Sequence, residues 1–126
     1  MLLHCAGPDT EAAAQVIDNV LIVLTNCPDA EVADRIARTL VEQKLAACVN
    51  RMPAVDSVYR WQGAVERAVE VPLLIKSTRE RLPEVQEAIR ALHPYEVPEI
   101  LAIPVVAGLP AYLRWVVDET QPPLLA

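Results

Sequence analysis

Hydrophobic and polar residues follow two rhythms along this chain, and the switches between them mark out its elements. Val20-Leu21-Ile22-Val23-Leu24-Thr25 is an unbroken aliphatic and β-branched run closed by Asn26-Cys27-Pro28-Asp29, which predicts a first strand buried on both faces. Pro28 suits a first helical position, and Asp29, Glu31 and Asp34 suit the positive end of a helix. Ala33, Ile36, Ala37, Leu40 and Leu45 then recur at helical spacing, so a helix is expected over about 29–44. Ala46 to Asn50 returns as a short strand. Pro53 interrupts it before Val55-Asp56-Ser57-Val58-Tyr59-Arg60-Trp61, which places that stretch at an edge or a bulge.

Gln62-Gly63 carries turn chemistry between that aromatic strand and the run from Val65 to Lys76, predicting a long hairpin with Pro72 awkwardly inside it. Leu82, Val85, Ala88, Ile89 and Leu92 give a second amphipathic helix over about 81–92, with Pro83 tolerable in its first turn. The Pro94 to Pro98 segment ends it. Glu99 to Ile103 reads as a further strand, and Tyr112 to Val117 as a short last helix before Gln121-Pro122-Pro123. Residues 1–19 read as a flexible leader, 20–120 as one domain and 121–126 as a tail.

Strand, helix, strand, strand, helix, strand fits two crossover units joined by a hairpin. This is an α+β, ferredoxin-like antiparallel sheet with helices on one face and an extra C-terminal helix. The other face would carry the alternate hydrophobic residues of the long hairpin. Left bare, it would be an apolar patch larger than monomers usually expose, so self-association is expected.

Composition narrows the function. The chain has 126 residues, a length that suits one domain able to bury a core without disulfide or metal staples. Lys and Arg number 11 against 17 Asp and Glu, a net charge of −6, which opposes the basic footprint a nucleic acid requires. No apolar run reaches membrane-spanning length, so neither membrane nor nucleic acid is an expected partner. Cys5, Cys27 and Cys48 are too widely spaced for a disulfide framework or a zinc motif, and no basic n-region opens the chain. A cytoplasmic protein with reduced thiols is expected.

Four blocks narrow it further: Leu45-Ala46-Ala47-Cys48-Val49-Asn50, Tyr59-Arg60-Trp61-Gln62-Gly63, Leu73-Leu74-Ile75-Lys76-Ser77 and His93-Pro94-Tyr95-Glu96-Val97-Pro98-Glu99. In that order they resemble the CutA divalent-cation-tolerance family over about residues 20–118. The resemblance implies a ferredoxin-like subunit, a homotrimer in which long hairpin strands extend neighbouring sheets, a role in divalent metal tolerance, copper binding in some members, and no catalytic reaction. Copper-binding members look to use a cysteine at the end of the first strand and two histidines before Pro-Tyr. Those positions fall here on Thr25, Leu92 and His93, so one ligand of three is retained. Cys27, two residues beyond Thr25, is the candidate replacement, since thiolate with imidazole suits copper(I) or zinc. Copper is therefore expected to bind weakly, through His93 and Cys27.

Each candidate has a plainer role. Cys48 reads first as a small buried hydrophobe. Cys27 lies in a strand-to-helix turn where a helix N-terminus can activate a thiol, but it lacks the second cysteine of a metal chaperone. His93 either meets terminal helix carbonyls or serves as a ligand. Tyr59 and Trp61 share one strand face, for interface packing or for a ligand pocket. Glu70, Lys76, Tyr95 and Glu99 are expected to line a polar cleft between subunits, either as ion pairs or as a small-molecule site. An anion or nucleotide sensor is the rival function, weakened by only three glycines and no phosphate loop. An acylphosphatase-like enzyme lacks an arginine beside Asn26, and an RNA-binding sheet lacks inner-strand aromatics and basic charge.

Overall fold

The computed structural model describes residues 18–122. Apart from two residues at each inner end, the expected leader and tail lie outside the described residues. The strands are β1 (Val20–Cys27), β2 (Cys48–Arg51), β3 (Val55–Trp61), β4 (Ala64–Thr78) and β5 (Leu101–Pro104), and the helices are α1 (Ala30–Glu42), α2 (Leu82–Leu92) and α3 (Pro110–Glu119). The sheet is antiparallel in the order β2-β4-β1-β5, with β3 continuing beyond β2 along the same edge of β4. This is the α+β, ferredoxin-like plan.

Helix α1 starts one position later than the sequence suggests. Asp29, not Pro28, makes the boundary, because its Oδ1 accepts the Val32 N–H at 2.8 Å as an N-cap. It also ends earlier, at Glu42. Lys44 takes φ 59°, while the Leu45 and Lys44 amides return to the Leu40 and Val41 carbonyls at 2.8 and 3.1 Å. That is the Schellman closure, with lysine where glycine is usual. Leu45 is thereby turned into the core rather than continuing the helical stripe.

Burial along β1 and the second half of β4 alternates. Val23, Cys27, Val71, Leu73 and Ile75 point at the helices and pack on Ala33, Ile36 and Leu40 of α1 and on Val85 and Ile89 of α2. Residues spaced three and four apart on a helix share a face, which is why these five helical positions reach one sheet. β1 is not buried on both faces as its composition suggested: Ile22 and Leu24 are only half covered. The two crossover helices share one face. α3 instead closes a second cluster of Leu113 and Val116 on Val20, whose parity along β1 is that of Ile22, and so packs at one end of the opposite face. The rest of that face carries Leu101, 53% exposed, and Ile103.

Pro72 has a specific berth. Its carbonyl accepts the Met52 N–H at 2.9 Å, so its missing N–H lies on the same edge, at the break between β2 and β3 where no ladder donor is needed. The hairpin turns through Gln62 (φ 50°) and Gly63 (φ 83°), the two positive φ values of a type I′ turn. β1 pairs with β4 only from Val71 onward. From Ala64 to Glu70, β4 therefore has β3 on one side and, among the described residues, no strand on the other.

Candidate functional site

The overhanging hairpin and the loop after α2 enclose a cleft of about 640 Å³. The strand pairing puts Ser57, Tyr59 and Trp61 of β3 on one face with Glu66 and Glu70 of β4, and all five line this cleft. Asn26 at the end of β1 and the loop residues Tyr95, Glu96, Val97 and Glu99 close it. Asn26 ties the two sides together, its Nδ2 donating to Glu99 Oε1 at 3.2 Å across 73 positions of sequence. The Tyr95 hydroxyl donates to Glu70 Oε2 at 3.3 Å. Burial, and then the adjacent Glu70 charge, push the Tyr95 phenol above its ordinary range.

Glu70, Tyr95 and Glu99 thus stand together on a cleft within one chain, and Lys76 stands apart from them. Period two puts Lys76 on the same strand face as Glu70, yet six residues separate them, about 20 Å along an extended strand. Lys76 lies opposite Cys48 and Ile22, with its Nζ hydrogen-bonded to Asn50 Oδ1. Among the described residues the cleft consequently has no lysine or arginine on its lining, and four carboxylates stand there. Glu66 and Glu96 were not singled out by the sequence, and Asn26 entered only through the disfavoured acylphosphatase reading. Their only signal is Glu66 sharing the Tyr59 face once the hairpin register is known.

His93 is the hinge between this cleft and the core. Its backbone N–H caps α2 on the Ile89 carbonyl at 2.8 Å. Its buried ring sits 2.7 Å by Nε2 from the Asn26 carbonyl, and Nδ1 lies 3.1 Å from the Tyr95 amide. The carbonyl can only accept and the amide can only donate, so Nε2 carries the proton and Nδ1 supplies its lone pair. Both ring nitrogens are engaged in the neutral tautomer. The ring also stacks obliquely on Tyr95, centroids 4.5 Å apart.

Cys27 is 0% exposed. Burial first, and then the negative charges of Asp29 and Glu70, push its thiol to about 11. It is a protonated core group at neutral pH, not an activated thiolate. Thr25, at the position of the family cysteine, is fully buried on the helix-facing side with Oγ1 unpartnered among the described residues. No three His, Cys, Asp or Glu side chains among the described residues converge on a point where a metal ion could sit. Cys48 is half-buried at the far end of the sheet beside Tyr112. Burial and then that thiol raise the Tyr112 phenol.

Comparison with known proteins agrees with this architecture. A family model described as CutA1 divalent ion tolerance protein matches residues 21–119. The chain is similar to the divalent-cation tolerance protein CutA of Thermus thermophilus, 48% identical over 99 residues, covering 79% of this chain and 96% of that one. It is also similar to protein CutA of Mus musculus, 41% identical over 114 residues and spanning 64% of that longer protein. Among solved structures, the divalent cation tolerance protein of Thermus thermophilus superimposes with a TM-score of 0.80 at 47% identity, over 81% of this chain and 99% of that one.

Proposed function

The chain belongs to the CutA1 divalent ion tolerance protein family, and on that footing we propose that it is a non-enzymatic, trimeric protein that binds copper or another divalent cation weakly and reversibly. The observation that carries the reading is the state of His93. A metal must take a ring lone pair, and the one at Nδ1 already accepts the Tyr95 amide. Metal binding therefore competes with a hydrogen bond, which lowers affinity, and it frees the turn that carries Tyr95 into the cleft. Weak uptake coupled to a loop suits a response to metal excess better than storage.

Trimerisation is supported by what a single copy leaves uncovered. The open edge of β4 over 64–70 presents backbone groups with no strand beside them among the described residues. Val58, Val65 and Val69 on one face of the hairpin and Leu101 and Ile103 on the sheet are exposed. Cyclic pairing of three copies closes such edges without leaving an end. Cys27 and Cys48 are free thiols, which supports a reducing, cytoplasmic setting.

The test is calorimetric titration of the reduced, metal-free protein with copper(I), copper(II) and zinc, beside His93→Ala and Cys27→Ala. The reading expects weak binding, largely lost in His93→Ala and little changed in Cys27→Ala. A tight stoichiometric site that survives His93→Ala sinks it.

A further inference from the structure

We infer that the groove between α1 and α2 is a binding site for an aliphatic monocarboxylate, its carboxylate held by Arg81 and its tail lying along α2. Arg81 carries the inference. Its side chain is only 6% exposed, yet it lines this groove of about 610 Å³. Nη1 donates to Glu84 Oε1 at 2.9 Å, while Nε is buried without a partner and Nη2 has none, among the described residues. Nε and Nη2 are two parallel donors of the guanidinium fork, the edge that takes both oxygens of a carboxylate. A buried guanidinium with that edge unused is costly, because its donors have given up water for nothing. An acceptor with two oxygens is what the site lacks.

The field at Arg81 favours an anion. Arg81 is the N-cap of α2, where no side chain caps the helix, so the positive helix end adds to its charge. Glu84 and Glu87 stand on the groove wall, but each already has an arginine, Glu84 with Arg81 and Glu87 with Arg90 at 3.3 Å. The rest of the groove says what the carboxylate is attached to. Ala88 and Ala91 continue the Arg81 stripe of α2 at helical spacing, and Leu45 and Leu92 line the groove with them. From Arg81 to Ala91 is about 15 Å along the helix axis. A peptide laid there would bring backbone donors and acceptors that this aliphatic floor cannot pair, whereas a saturated chain brings none. The groove is on the helical side of the sheet, away from the exposed sheet face and the open edge of β4. It shares no residue with the acidic cleft and does not depend on the metal reading.

The experiment is calorimetric titration of the assembled, metal-free protein with dodecanoate below its micelle concentration, beside dodecan-1-ol, which keeps the tail, and acetate, which keeps the charge. Dodecanoate should bind once per chain, roughly tenfold or more tightly than either. Arg81→Lys keeps the positive charge but loses the fork, and should weaken dodecanoate roughly tenfold. Arg81 is buried and its replacement can prevent folding, so Ala91→Glu supplies a second reading. Ala91 is an exposed residue of the groove, and a carboxylate there stands in the path of the tail and should weaken dodecanoate about tenfold. Gln86→Glu adds the same charge at an exposed position of α2 outside the groove and should leave binding unchanged. Absence of dodecanoate binding, equal binding of the alcohol, a folded Arg81→Lys that binds as the native protein does, or equal weakening by Ala91→Glu and Gln86→Glu would overturn the site.

Discussion

Replacing His93 by alanine removes the one side chain that joins the end of α2, the end of β1 and the cleft loop, and its cost can be worked from the contacts. Two neutral hydrogen bonds go, to the Asn26 carbonyl and from the Tyr95 amide, each contributing about 1 kcal/mol net. The buried ring leaves a space beside Tyr95, adding roughly 1–2 kcal/mol for a partly collapsible cavity. The sum is about 3–4 kcal/mol, or roughly 10 °C in melting temperature for a domain of this length. Thermal unfolding followed by circular dichroism, at matched protomer concentration because association shifts the midpoint, is the assay. Leu92→Ala, next to it at the half-buried end of α2, is the companion that keeps His93. A His93→Ala shift below about 2 °C would refute the claim that its ring nitrogens are structurally engaged.

Cys27 gives a pH prediction. Its folded value of about 11 lies above the unfolded 9.0, so the fold favours the protonated thiol. Its stabilisation is full below pH 9 and lost as pH rises through 11, at most about 3 kcal/mol. Urea midpoints of wild type minus Cys27→Ala, compared at pH 8 and pH 11, should narrow by that order, and a constant difference would contradict it. Leu101→Asp with Ile103→Asp places charges on the exposed sheet face and should shift sedimentation from trimer to folded monomer; an unchanged mass would remove that face from the assembly.

Local patterns made most of the fold legible. The aliphatic run of β1, the Gln62-Gly63 turn and the stripes of α1 and α2 act over a few residues, where propensity and period decide. The cleft was legible only in part. Tyr95, Glu70 and Glu99 could be brought together by following the second crossover, but Lys76 was misplaced because face parity says nothing about distance along a fifteen-residue strand. The acceptor for His93 is a backbone carbonyl 67 residues upstream, and backbone groups leave no trace in residue identity. Glu66 and Glu96 look like any solvated carboxylates until the register of the hairpin and the return of the loop set them on one cavity.

The central claim is that divalent cations are taken through His93 at the expense of its hydrogen bonds. The chain has only two histidines, so ring nitrogen NMR of protein labelled at histidine reads it with little overlap. In metal-free protein the His93 resonances should be those of the Nε2–H tautomer. Adding zinc should shift Nδ1 gradually, over a weak binding range, while the Tyr95 amide loses its protection from exchange. Zinc binding that leaves the His93 ring nitrogens and the Tyr95 amide unmoved would contradict the account.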